Sequence, residues 1–280
     1  MLFMSNKKKL FLLCSAILLS VYGCKQSDPP EPTEKGDLYF SGYYWNFKNS
    51  GTTMMGPGPN YFASDTGNIY VDGNGMLHMK ITKDNNKWYC SELISVKEFG
   101  YGTYMFTTQS DLTTLNEKAV LGLFTWNDYS FQSQANSEVD VEFARWGNAS
   151  DSLLLTYSVQ PVWFSNPAPY VERTRRPLIP ASKLKTTCTH VFKWTPDTIT
   201  WNSYEGDYYP GLTPMAEWKY DKSNTPRLKM EGNQVSNPVV IPAPADSTNA
   251  RINLWLLNGQ APINGSETEV VIKSFKYFPL

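Results

Sequence analysis

From position 37 onward no stretch of the chain sustains a 3.6-residue apolar period. Short runs rich in β-branched and aromatic residues recur instead between turn signals. The pattern predicts strands over 68–71, 76–82, 88–96, 102–107, 119–125, 138–143, 153–159, 191–194, 199–204, 252–257 and 269–277. Asp72-Gly73-Asn74-Gly75 is a strong hairpin signal between the first two, and Lys83-Asp84-Asn85-Asn86 is another turn. An unbroken series of this kind favours one β-sandwich over two domains. Residues 131–137, 161–180 and 210–246 read as long loops, the last two rich in proline. Long loops on a rigid sandwich are common places for binding surfaces.

The first residues carry a different pattern. Lys7, Lys8 and Lys9 precede an apolar run over 10–21. That run is shorter than the roughly 20 residues a spanning helix needs, and it suits the apolar region of a signal peptide. It ends in Val21-Tyr22-Gly23-Cys24, which resembles a bacterial lipoprotein signal in which Cys24 becomes the lipidated first residue. Tyr22 departs from the small residue usual there. Ordinary secretion with an unrelated Cys24 is the alternative. Residues 25–36, with Pro29, Pro30 and Pro32 among polar and charged neighbours, have the composition of an extended tether. The expected division is a signal peptide at 1–23, a tether at 24–36 and one folded domain at 37–280. The expected location is the bacterial cell envelope, lipid-anchored at the outer membrane or cell surface, or the medium after secretion. The lipid would be the chain's sole membrane attachment. After cleavage only Cys90 and Cys188 remain. Outside the cytoplasm they could form one disulfide or stay two buried thiols, and the sequence leaves both open.

Charge and composition narrow the function. With 25 basic and 26 acidic residues the net charge is −1, which argues against a nucleic-acid partner. Hydrophobic residues at 41% exclude an intrinsically disordered chain. Two His and four Cys leave little material for a zinc cluster. His78 lies on a predicted strand as a surface-facing residue, and His190 beside Cys188 has no evident third ligand. No phosphate-binding glycine loop and no nucleophile-elbow motif are present. Aromatic residues, however, reach 14%, with nine Trp and seventeen Tyr.

The chemistry-bearing segment is Glu138-Val139-Asp140-Val141-Glu142-Phe143. Successive strand side chains point to opposite faces, so the three acids share one face and the three apolar residues the other. Clustered like charges repel and raise the pKa of at least one group. Glycoside hydrolysis uses two carboxyl groups, one attacking the anomeric carbon and one protonating the leaving oxygen. Residues four apart on a strand have Cα atoms about 13 Å apart, a gap that two long Glu side chains can narrow.

The same six residues resemble the E-x-D-x-E signature of glycoside hydrolase family 16. The resemblance continues in Cys90-Ser91-Glu92, in Phe99-Gly100-Tyr101-Gly102-Thr103-Tyr104 and in Gly122-Leu123-Phe124-Thr125-Trp126. It extends through the segment from Phe192 to Trp201, Asn253-Leu254-Trp255 and the closing strand from Ser274 to Tyr277. These segments follow in family order from about residue 60 to the C-terminus. The resemblance implies a concanavalin-like jelly-roll β-sandwich of two curved antiparallel sheets, the concave one forming a cleft for a polysaccharide. It implies Glu138 as nucleophile, Asp140 as its helper and Glu142 as general acid/base. Three departures stand out: Thr107, Ile94 and Cys188 occupy positions where the family usually has Arg, Arg and His. Arg145 and Trp146, just past the triad, are candidates to compensate.

Sugar rings lay their C–H faces on aromatic rings and hydrogen-bond through their edges. The expected substrate-binding residues are Trp126, Trp255, Asn253, Glu92 and Trp146, with Trp163 and Phe164 on a proline-rich loop. Trp88, Trp194 and Trp201 are expected in the core. The function expected is a retaining endo-glycosidase acting as a monomer on a β-1,3-1,4- or β-1,3-glucan. A neutral glucan suits the near-zero charge better than a sulfated one. A non-catalytic glycan-binding lipoprotein and a transglycosylase are the alternatives. No cofactor is required; the family sometimes carries a structural calcium, for which no dense acidic loop is evident.

Overall fold

The computed structural model describes residues 35–162, 173–222 and 239–280. Cys24, the tether up to position 34, Trp163 and Phe164 lie outside the described residues. In chain order the strands are β1 (Leu38–Phe40), β2 (Tyr43–Phe47), β3 (Tyr61–Phe62), β4 (Ile69–Val71), β5 (Leu77–Asp84) and β6 (Lys87–Glu98). Then come β7 (Gly102–Gln109), β8 (Ala119–Trp126), β9 (Val139–Ala144), β10 (Leu155–Val159) and β11 (Thr174–Arg175). The last are β12 (Thr187–Trp194), β13 (Thr198–Glu205), β14 (Ala216–Asp221), β15 (Asn249–Leu256) and β16 (Thr268–Pro279). One helical turn, α1 (Phe131–Gln134), sits between β8 and β9.

The main hydrogen-bonded path runs β11-β10-β9-β8-β15-β6-β5-β16-β7-β12-β13-β14. Along it every neighbouring pair is antiparallel, and the nearly closed sheet is a jelly-roll β-sandwich. β6 belongs to both layers. Residues 91–98 pair with β15, whereas Lys87, Trp88 and Tyr89 pair with the end of β5. The β11-to-β6 layer, extended by β2 and β1, carries the acidic strand on its outer face.

Alternation explains the core. Val139, Val141 and Phe143 of β9 are fully buried, as are Leu121 and Leu123 of β8 and Ile252 and Leu254 of β15. Facing them are large rings of the second layer, among them Phe106, Phe192, Trp194, Trp201 and Phe275. Tyr104 stacks on Phe192 at 4.7 Å, and Phe106 meets Phe275 at 4.8 Å. Each such buried ring contributes about 1.5–3 kcal/mol. Much of the aromatic excess therefore goes to the sandwich interior, including Trp194 and Trp201 as expected; Trp88 is half-buried at its edge.

One open alternative is decided, and two expectations need correction. Cys90 and Cys188 are free buried thiols, not a disulfide. Cys90 lies on β6 and Cys188 on β12, with β5, β16 and β7 between those strands along the sheet path. Burial pushes Cys90 up to about 12 and Cys188 up to about 11, so neither forms a thiolate near neutrality. The 131–137 segment is not an open loop but α1 followed by a tight turn over 135–137. The 210–246 stretch contains β14, which pairs with β13 from Ser203↔Ala216 to Thr198↔Asp221. The described prolines nearest it, Pro210 and Pro214, precede the strand, so the ladder loses no donors.

Candidate active site

Register aligns the cleft floor. Glu92, Asn253, Gly122, Glu142 and Thr156 form one row across β6, β15, β8, β9 and β10. Ile94, Arg251, Phe124, Asp140 and Ser158 form the next. With strands about 4.8 Å apart, Glu92 and Glu142 stand roughly 14 Å from each other across the floor. The cleft over these rows encloses about 560 Å³ and is lined by Glu138, Asp140 and Glu142 together with Glu92, Trp126, Asn253 and Trp255. Gly122 keeps the floor low. A Cβ there would come within 2.4 Å of Asn253 Oδ1.

The wall opposite the triad is a closed polar network. Glu92 is buried and accepts from Lys48 Nζ at 3.0 Å and from Arg251 Nη1 at 3.2 Å. Arg251 Nη2 donates to Asp128 Oδ2 at 2.8 Å, and its Nε donates to Asn249 Oδ1 at 2.8 Å. The guanidinium lies 5.7 Å from the Trp126 ring centroid, while Trp126 Nε1 donates to Asp128 Oδ1 at 2.8 Å. The Trp126 ring is thus held by its polar edge and by one face. Asn253 Nδ2 reaches Glu92 at 3.5 Å, and its buried Oδ1 has no hydrogen-bond partner within the protein. Such an atom is costly unless something bonds it.

The triad is electrostatically loaded. Burial, then the charges of Asp140 and Glu142, push Glu138 well above the usual carboxylate range, while Arg251 pulls the other way. Burial raises Asp140 to about 7, opposed by hydrogen bonds from Gln160 and Glu138. Burial and the Asp140 charge push Glu142 up as well. Near neutrality the cluster therefore retains a proton while carrying negative charge, the combination needed for one acid and one nucleophile.

The backbone feeding Glu138 into the cleft is unusual. Ala135, Asn136 and Ser137 all have left-handed φ values of 48°, 59° and 53°, each disfavoured for a residue with a Cβ. The run is held by specific bonds. Asn127 N donates to Asn136 O at 2.6 Å, Asn136 Nδ2 donates to Asn127 O at 2.8 Å, and Thr125 Oγ1 donates to Ser137 O at 2.8 Å. Ser137 Oγ donates to Ala243 O at 2.9 Å and accepts from Ala245 N at 3.2 Å. From the second layer, Trp201 Nε1 donates to Asp140 O at 3.0 Å through the core.

Trp126, Trp255, Asn253 and Glu92 all line the cleft with the three acids. Trp146 does not line it. Its ring meets Trp255 edge-on at 6.4 Å, and its Nε1 donates to Thr156 Oγ1 at 3.4 Å, beside Glu142 in the floor row. Arg145 does not compensate for the missing arginines, because its donors go to the carbonyls of Asp151 and Thr113. Thr107 and Cys188 sit in the second layer and do not line the cleft, whereas Ile94 does. Sequence reasoning missed Arg251, which pairs directly with Ile94 and brings a guanidinium to that part of the floor. Its position two residues before Asn253 was a usable signal. Lys48, Asp128, Gln160 and the Met55–Pro57 rim reach in from outside the acidic strand, and no local pattern marks them. Among the described residues no group of three or more His, Cys, Asp or Glu is placed to hold a metal ion, and no helix is long and apolar enough to cross a membrane.

The jelly-roll sandwich is like the fold of solved glycoside hydrolase family 16 structures. A family 16 glycosyl hydrolase from Mycobacterium smegmatis superposes with a TM-score of 0.55 at 17% identity, over 88% of this chain and 96% of that one. The Bacillus licheniformis β-glucanase gives 0.57 at 17%, over 87% and 95%. An immunostimulatory antigen and pseudo β-1,3-glucanase of Mycobacterium tuberculosis gives 0.57 at 17%, over 84% and 91%. At these identities the shared property is the fold. No protein-family model matches the sequence, and no curated protein matches it.

Proposed function

We propose that the chain is a family 16 endo-glycosidase, anchored by a lipid on Cys24, that cleaves a β-1,3-1,4- or β-1,3-glucan with retention. The observation that carries this reading is the convergence of Glu138, Asp140 and Glu142, all with raised pKa values, on the floor of an aromatic-walled cleft. Glu138 attacks the anomeric carbon while Glu142 gives its proton to the departing oxygen. Water then enters as Glu142 takes a proton back, and the glycosyl–Glu138 ester is hydrolysed. Asp140 shares a hydrogen bond with Glu138 and sets how readily it ionises. Trp126 and Trp255 offer flat faces to sugar rings. The unpartnered Asn253 Oδ1 accepts from a sugar hydroxyl. Glu92, already bonded by two cations, braces the wall and does not act as a free acceptor. Lys48 and Arg251 are neutralised in turn by Glu92 and Asp128, so among the described residues lining the cleft there is no spare cation for an anionic glycan.

The test is incubation of the mature protein with barley β-glucan, lichenan and laminarin. Wild type is expected to release reducing ends from at least one. Glu138→Gln is expected to release none, and Glu142→Gln to lose about 10²–10⁴-fold in kcat. A fold neighbour named a pseudo β-1,3-glucanase favours a second reading, glycan binding without cleavage. Retention of a glucan by wild type with no release would select it.

A further inference from the structure

We propose that Tyr129 and Phe131 form an additional sugar-binding step beyond Trp126, gripping a neighbouring unit of the polysaccharide held in the cleft. The inference rests on the glycan-cleft reading above and extends it past the residues that line the cavity. Trp126 and Asp128 line the cleft. Directly after them, Tyr129 is 90% exposed and Phe131 is 48% exposed. Three peptide steps limit the Trp126-to-Tyr129 Cα distance to about 11 Å, so Tyr129 is rooted beside the cleft-lining residues Trp126 and Asp128.

These two exposed rings follow the cleft-lining segment directly in the chain, and each leaves a face open to a ligand. Their loop is firmly held. Tyr129 N donates to Asn127 Oδ1 at 2.9 Å, and Gln134 N donates to Ser130 O at 2.7 Å. Ala243 N donates to Gln134 Oε1 at 2.7 Å, and Asn127 Nδ2 donates to Asp246 O. One backbone–backbone bond and one side-chain–backbone bond, running in opposite directions, close Asn127 on Asn136. The rings therefore project from a preorganised backbone, which reduces the ordering cost of binding. An exposed ring on a fixed support, continuous with a cleft that already presents Trp126, suits the apolar C–H face of a pyranose. Continuity makes the occupant the same glycan chain, not a separate partner.

The experiment compares Tyr129→Ala/Phe131→Ala with wild type on a long β-glucan and on a short oligosaccharide that spans only the triad. Both residues are exposed, so the variant is expected to melt with wild type. KM for the polymer is expected to rise about five- to tenfold more than KM for the oligosaccharide. Tyr209→Ala, which truncates another exposed tyrosine outside the cleft, serves as the surface control. Equal changes on both substrates, or none, would overturn the proposal. Retardation in gels containing the same glucan, measured in a Glu138→Gln background, separates the two levels. If retardation persists when the rings are removed, the rim proposal fails and the cleft reading stands. If the rings still matter for binding while wild type releases no sugar, the hydrolase reading fails and the rim proposal stands. Absence of binding by either form overturns both.

Discussion

At the scale of single residues, the charge on the three acids is set by side chains from other strands as well as by their own neighbours. Alternation alone puts Glu138, Asp140 and Glu142 on one face. The partners that set their charge come from elsewhere: Gln160 from the end of β10, reaching Asp140 at 3.4 Å, and Arg251 from β15. Asp140 is the lever. Its negative charge raises both neighbouring glutamates, so Asp140→Asn should lower the pKa of each. The kcat/KM profile against pH is expected to move toward acid on both limbs, with a lower maximum, which a series of initial rates from pH 4 to 9 would read. Arg251 shows how a cleft residue escapes notice. It occupies the alternation of Asn253 and Trp255, yet its meaning appears only when β15 pairs with β6 and sets it against Ile94.

Among elements, most long strands are readable from alternation, while of the short ones β4 is readable through the turn that follows it and β1, β3 and β11 are not. β1, β3 and β11 span two or three residues, too few for a period. β14 was hidden by flanking prolines, although Ala216, Trp218 and Tyr220 share one face of it. The turn before β9 was equally invisible, because a left-handed Ala-Asn-Ser run exists through its tertiary bonds and not by local preference. Ser137 is its main fastener. Ser137→Ala would strip Ala243 O of its donor and leave Ala245 N bonded to Thr248 Oγ1 alone, a loss of about 1–3 kcal/mol. The expected result is a melting temperature lower by several degrees, together with reduced kcat as the start of the acidic strand loosens. Thermal melts beside single-turnover assays would check both effects. A drop in stability with kcat intact would separate the turn from the chemistry.

For the whole molecule, the acidic cleft opposes folding at neutral pH. A carboxyl whose pKa rises on folding binds more protons in the native state than in the unfolded one. Stability from that group is full below the unfolded value near 4 and falls as pH rises through the folded value. For Asp140 the window runs from about 4 to about 7. Asp140→Asn is therefore expected to be more stable than wild type at pH 8, by roughly 1–4 kcal/mol, with the gain vanishing toward pH 4. Chemical denaturation at the two pH values would measure it. A gain of equal size at both would mean that charge is not its source.

The strand shared by the two layers has a mechanical consequence. A sandwich whose faces met only through side chains could peel open along that seam, exposing apolar interior while each half kept its ladder. Here β6 is laced into both halves, through β15 on one stretch and β5 on another, so the layers cannot part without tearing backbone bonds. Glu92, the anchor for Lys48 and Arg251 in the cleft wall, sits on that same strand. The proposed grip on a glycan would thus be carried by the segment that must rupture before the molecule can come apart, and the wall opposite the triad should keep its shape until the fold itself is lost.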